Sequence, residues 1–289
     1  MKKIIATIFL MFFMSIPAKA IDIGLIDNQA AFAIGSSQGA QIINEKTGKV
    51  LYEIAPMEMY TLKAYKNTIG IFVDNVAYNL GCTKIVIKPL NHGFMSAKKR
   101  WYRGVFVVKN IDNKLVLINS LPIEEYLLGV VPSEMPSSWS PEALKAQAIV
   151  ARSYAIANRG KHAKLGYDLK DTTEDQAYGG ATSEKAATNR AVLDTENIVI
   201  TQDKKIIPAY YHASAGGHTL NSSEVWSKDL PFIRAVPSFD DNVKKNGHGI
   251  GMSQHGANYL AKEGYDAFQI LDYFYKNINF GKLKPEIKL

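Results

Sequence analysis

Cysteine is nearly absent: Cys82 is the only one in 289 residues. A single thiol cannot close an internal disulfide, so the fold must be held by packing. Cys82 follows Gly81 in a strand-like stretch, where it reads as a small buried hydrophobe, and no His and Asn accompany it in a nucleophile's pattern. The six histidines show no His-Glu-x-x-His or similar ligand spacing, which disfavours a catalytic zinc. No basic cluster with interleaved aromatics is present, which argues against a nucleic-acid partner. Internal repeats and low-complexity linkers are missing too. Long apolar runs are confined to one place, residues 4–17.

That run follows Lys2 and Lys3 and precedes Ala18-Lys19-Ala20, a small-x-small cleavage signal. Residues 1–20 therefore read as a secretory signal peptide, too short for a comfortable membrane span. An uncleaved membrane anchor is the alternative. Its removal leaves 269 residues and takes the formal net charge from +7 to +4. Such a length supports a substantial core and one or two domains.

Residues 21–118 alternate short β-branched runs with turn residues. Strands are predicted at 40–43, 50–54, 69–73, 84–87, 105–108 and 115–118, with turns at Asn-Glu-Lys-Thr-Gly and Ile-Asp-Asn-Lys. Helices are predicted after Ser140 and at 183–195, 257–262 and 267–275, and a hairpin at 198–201 and 206–211. The fold class is α+β: a β-rich N-terminal lobe, 21–118, packed on a mixed α/β core, 119–281.

The richest stretch is 121–160. Glu134 lies among Pro132, Met135, Pro136 and Trp139, a stiff, locally apolar setting. Desolvation disfavours a charged carboxylate, so Glu134 is a candidate general acid; the alternative is a surface glutamate in a turn. Glu124 and Glu125 read as surface or capping residues, and Glu142 suits a first helical turn. Ser140 can cap the next helix, Pro141 fits its first position and Gly160 can close it. That helix is apolar almost all round and should be buried. Lys145 and Arg152 share one stripe of it and need acidic partners or an anionic ligand. Either a salt bridge with inward-packed stems or a ligand contact satisfies them.

Two further segments are rich in small and polar residues. Tyr211-His212-Ala213-Ser214-Ala215-Gly216-Gly217-His218 follows a strand, with His212 and Ser214 as candidate polar contacts to a ligand and His218 as a loop histidine. Gly247-His248-Gly249-Ile250-Gly251-Met252-Ser253-Gln254-His255-Gly256 crowds glycines ahead of a helix, allowing tight turns and close ligand approach. It forms either a cleft wall or a packing turn with His248 bonded internally.

Taken together, Leu121-Pro-Ile-Glu-Glu-Tyr-Leu-Leu-Gly-Val-Val-Pro-Ser-Glu-Met-Pro136, Glu142-Ala-Leu-Lys-Ala-Gln-Ala148 and Ala151-Arg-Ser-Tyr-Ala155 resemble the SpoIID/LytB family of cell-wall proteins. Asp171-Thr172-Thr173 with Gln176 and Tyr178, and the two segments above, match in the same order over roughly residues 119–280. The resemblance implies a lytic transglycosylase acting on peptide-free peptidoglycan glycan strands in the periplasm or cell wall, with Glu134 as its acid. It implies substrate contacts from Lys145, Arg152, Ser153, Tyr211, His212, Ser214, His248, Ser253 and Gln254. Relatives of the LytB type imply a rival, a non-catalytic activator of a wall amidase; a glycan-binding scaffold of a wall-remodelling complex, which needs the cleft but not the acid, is another. The family's usual aromatic before the final Gly-Ala is His255 here. Some relatives bind zinc with a His-Cys pair after Asp-Thr-Thr; here Glu174 and Asp175 stand there, so no metal or other cofactor is expected. The mild positive charge suits a glycan whose muramic acids expose lactyl carboxylates.

Overall fold

The computed structural model describes residues 12–17, 20–74 and 76–284. The expected signal peptide lies largely outside the described residues; Phe12–Pro17 forms a strand parallel to Asn279–Lys284. Among the described residues no helix is long and apolar enough to cross a membrane. The fold is α+β with a strand-rich N-terminal region. Its chain forms two compact units, Lys19–Glu134 with Asn158–Glu184, and Met135–Ala157 with Lys185–Leu289 and the first residues. The chain passes from the first to the second immediately after Glu134, inside the segment that the sequence assigns to one core.

The first unit holds a seven-stranded and a six-stranded sheet. In the larger one Lys114–Leu121 lies between Ile21–Gln29 and Val105–Ile111. Flanked on both sides, Leu115 to Asn119 are all buried, and the sequence accordingly reads as a continuous apolar run. Val105–Ile111 and Lys114–Leu121 pair from Val105↔Ser120 to Ile111↔Lys114. Asp112 and Asn113 both adopt positive φ at the turn, the requirement of a two-residue hairpin that matches strand twist. Predicted strands at 40–43, 84–87 and 69–73 appear with slightly longer bounds, Ala40–Asn44, Lys84–Pro89 and Thr68–Val73. Cys82 is half-buried rather than fully inside. The first of this unit's two chain segments ends in helix α1, Ile123–Glu134, with Glu124 and Glu125 in its first turn and Pro132 inside it.

The second unit is built around α2, Pro141–Ala157, followed by α3, Ala186–Asp194, the short α4, Ser222–Val225, then α5, Gln254–Lys262, and α6, Ala267–Phe274. From Ala143 to Ala155 every residue of α2 except Lys145 is buried, as its all-round apolarity requires. Ile149, Val150, Ile200, Met252, Leu271 and Phe274 share one core. The strand expected at 206–211 is shorter. Lys205–Ile206 pairs with Ile198–Gln202, whereas Tyr211–His212 pairs in parallel with Met252–Ser253. Pro208 explains the break, because it has no N–H to continue the ladder.

Candidate active site

In the first unit Glu134 is the last residue of α1 and is half-buried. Gly129, one helical turn earlier, lets the helix lie against residues 178–183: a Cβ there would meet the Tyr178 ring at 2.5 Å and the Gly180 carbonyl at 2.9 Å. The Gly129 carbonyl accepts from Gly179 N–H at 3.1 Å and from the hydroxyls of Ser133 and Ser183. Tyr178 anchors the same loop, donating from its hydroxyl to Asn119 at 2.9 Å and packing on Tyr126 at 4.9 Å. Thus held, Ala177 donates its backbone N–H to Glu134 Oε1 at 2.6 Å. A recess of about 400 Å³ lies alongside, lined by Arg100, Ser133, Asp171, Ala177–Gly179, Thr182 and Ser183.

Near this loop lie Glu174 and Asp175, the acidic pair that follows Asp171-Thr172-Thr173. Both are engaged in ion pairs: Glu174 with Lys170 at 2.6 Å, and Asp175 with Lys161 and with His162 Nε2 at 2.8 Å. Burial pushes the Asp175 pKa up, but its bonds from Lys161, the Lys170 N–H and His162 together hold it below the usual range.

In the second unit the segments that carry His212, Ser214 and Ser253 are tied to a carboxylate that the sequence reading missed, Asp240, through Ala215, Gly217 and Ser253. Asp240 is 4% exposed. Its Oδ2 accepts from Ala215 N–H at 2.8 Å and Ser253 Oγ at 2.7 Å; its Oδ1 accepts from Gly217 N–H at 2.7 Å and Ser238 Oγ at 2.5 Å. Burial opposes ionisation, yet these four donors outweigh it and hold the Asp240 pKa low. Ser253 in turn caps α5 by accepting Gly256 N–H at 3.1 Å. Ser214 donates to the Lys244 carbonyl at 2.7 Å. Only the pattern Ser238-Phe-Asp240, with no apolar periodicity of its own, marked this hub in the sequence.

The two histidines differ. His212 is 4% exposed, with Nδ1 at 3.1 Å from the Ile250 carbonyl. Burial, with His248 adding to it, lowers its pKa to about 4, so the ring is neutral near pH 7. His248 is half-buried; its Nδ1 accepts Ile250 N–H at 3.0 Å, and its ring lies 5.6 Å from Trp226 and 5.5 Å from His212. Gly251 (φ +72°) permits this turn, since a Cβ there would run into the Tyr210 carbonyl. Gln254 donates to Gln147 Oε1 at 3.3 Å. Tyr211 is half-buried in its short strand, and its ring faces Tyr154 edge-on at 6.4 Å. His255 packs edge-on against Trp139 at 4.7 Å. His218 bonds locally to the Thr219 carbonyl.

Three expected substrate contacts are placed structurally instead. Arg152 has no exposed area and donates to the carbonyls of Ile198 at 3.0 Å and Val192 at 3.4 Å, tying α2 to α3 and to the strand beyond. Ser153 is buried, donating to Ile149 and accepting Ile200 N–H. Lys145 pairs with Glu142 at 2.8 Å and lies 3.8 Å from Asp194. Of the two readings open for this cationic stripe, the backbone acceptors of Arg152 and the half-exposed acids beside Lys145 fit the structural one.

The SpoIID family profile, described as "Stage II sporulation protein", matches residues 111–202. That span runs from the hairpin through α1, Glu134 and α2 to the strand Ile198–Gln202. Stage II sporulation protein D of Bacillus subtilis is 25% identical, covering 55% of this chain and 74% of that protein. The matched segment, residues 111–202, is of the SpoIID family. An uncharacterized protein of Brachyspira hyodysenteriae is 30% identical over 226 residues, 78% of this chain and 60% of its own length. A Bacillus subtilis protein named "Amidase enhancer" is 44% identical over 115 residues, 40% of this chain and 15% of its own length. The chain thus spans less than two thirds of the length of these last two proteins.

Proposed function

We propose that this protein is an exported lytic transglycosylase that cuts peptidoglycan glycan strands, preferably stripped of stem peptides, to 1,6-anhydro ends. The carrying observation is Glu134: a half-buried carboxylate at a helix end, one oxygen fixed by a backbone N–H, beside an open recess. The SpoIID match and the wall-related names of its relatives support the substrate class.

Glu134 gives its proton to the glycosidic oxygen as the C1–O bond breaks. The 6-hydroxyl of the same sugar then bonds to C1, and its proton returns to Glu134. The proton count closes without water, so this reaction needs neither the water-activating nor the nucleophilic second carboxylate of ordinary glycosidases. A carboxylate already oriented by Ala177 meets the leaving oxygen without first reorganising. Tyr211, His212, Ser214, His248, Ser253 and Gln254 are proposed as the glycan-facing set of the second unit, with Asp240 holding their loops.

A second reading, activation of a wall amidase without cutting, is favoured by the 44% identity to the "Amidase enhancer". Purified protein and its Glu134→Gln variant, incubated with peptide-free and peptide-bearing strands, separate the two. Mass analysis should find 1,6-anhydro ends from the unsubstituted protein on peptide-free strands and none from the variant. Unchanged turnover by Glu134→Gln would sink the catalytic assignment. Stimulation of a purified amidase without strand cutting would establish the second reading.

A further inference from the structure

Arg152 cannot read a ligand from full burial, and the recess beside Glu134 offers a different cation. Arg100 is exposed on the outer strand Arg100–Tyr102, and one of its nitrogens, Nη1, donates to the Tyr178 carbonyl at 3.2 Å. The Tyr102 hydroxyl also engages this side chain; a guanidinium carries five N–H donors, so part of its fork remains for a ligand. Thr182 accepts Trp101 N–H through Oγ1 at 2.8 Å and keeps its hydroxyl proton for another acceptor. Ser133 and Ser183 bring two more hydroxyls to the wall. They converge because residue 179 is glycine: a Cβ there would press Ser183 and Ser133 at 2.6–2.8 Å. Asp171, the one acid of the lining, is paired with Lys98 at 2.5 Å. Arg100 therefore sets the sign of the recess.

We infer that this recess is a sugar subsite for a carboxylate-bearing N-acetylhexosamine, with Arg100 gripping the carboxylate and Thr182, Ser133 and Ser183 meeting ring substituents. Ser133 and Ala177, both in its wall, flank the Glu134 carboxylate in sequence and by hydrogen bond, so a sugar seated here lies beside the proposed acid. A volume of about 400 Å³ is of the size that holds small polar ligands. An Arg fork matches a carboxylate bidentately, which a neutral sugar cannot use. The inference rests on the glycan-strand reading and adds which sugar the first unit recognises.

The test uses the exported protein carrying Glu134→Gln, so that ligand is bound and not cut. Affinity is measured for a peptide-free N-acetylglucosamine–N-acetylmuramic acid tetrasaccharide and for chitotetraose, which lacks the carboxylate. Arg100→Ala should weaken the muramyl ligand about tenfold or more, with chitotetraose changed less than about twofold. Arg100→Lys keeps the charge but loses the fork, and should lose less of the same selectivity. Melting temperatures of both variants check that they are folded. Equal losses for both ligands, no loss for the muramyl one, or no binding of either by the parent would overturn the subsite. A selective loss in a protein whose Glu134 form never cuts strands would instead defeat the transglycosylase reading and leave the subsite standing.

Discussion

Replacing Asp240 by Asn removes one charge and one acceptor from the middle of four donors. Each carboxylate oxygen serves one backbone N–H and one serine hydroxyl. Wherever the amide nitrogen goes, it faces one backbone N–H that has no way to turn aside. That buried donor is orphaned at a cost of about 1–3 kcal/mol. The serine on the same side can rotate and accept, but the two bonds kept by the remaining oxygen lose their charge assistance, roughly 1 kcal/mol each. Some of this is offset because a buried charge no longer has to be desolvated. The net is a destabilisation of about 3 kcal/mol, on the order of 10 °C in melting temperature. Urea unfolding of the parent and Asp240→Asn, read by far-UV circular dichroism at pH 7, measures it. The parent contribution also has a pH signature. The folded pKa is depressed, so the stability is complete above the unfolded value near 4 and is lost as pH falls through the folded one. Asp240→Asn should flatten that acid limb. A loss under about 1 kcal/mol, or an unchanged acid limb, refutes the picture of a four-donor hub.

Arg152→Lys should cost about 2–4 kcal/mol, because a fully buried fork to two carbonyls is lost; unaltered melting with weakened glycan binding would contradict its structural role. His212 titrates near 4 when folded and near 6.5 when unfolded, so its share of stability is present above 6.5 and lost as pH falls toward 4; His212→Gln should remove that slope from a pH series of unfolding midpoints. Gly251→Ala forces a Cβ into the Tyr210 carbonyl at positive φ and should destabilise by more than about 2 kcal/mol, seen as a lowered melting temperature. Elemental analysis should find no stoichiometric zinc, since Glu174 and Asp175 are already engaged with Lys170, Lys161 and His162.

Much of the fold is written in local pattern. The Asp112-Asn113 hairpin, the Ser140–Pro141 start of α2 and the all-round burial of that helix follow from turn chemistry and periodicity. The strand at 206–211 was misjudged because the apolar run was weighed above the donor missing at Pro208. Met59–Tyr65 and Val76–Asn79 went unseen in the first sheet region, where exposed polar or small residues dilute the alternation. The half-buried setting of Glu134 was legible from its stiff flanks, and the buried stripe of Arg152 from the apolarity of α2, but that backbone carbonyls would be among its acceptors was not. Asp240 and Arg100 were missed because, Ser238 apart, their hydrogen-bond partners are backbone groups and a side chain distant in sequence.

Neither compact unit is one continuous stretch of chain, and this constrains how the protein can be made or cut. The seven-stranded sheet gains its edge strand, Leu169–Lys170, only after α2 has been synthesised, although its neighbour Ile21–Gln29 emerges near the start. Tyr178, which locks α1 to its loop, arrives later still. A truncation ending at residue 134 would carry the Glu134 helix without the wall that orients it. Vectorial emergence from a ribosome therefore leaves the first unit unfinished until residue 184 has cleared the exit. Dissecting the protein for separate expression calls for a circular permutant or a split with exchanged segments, not a single cut.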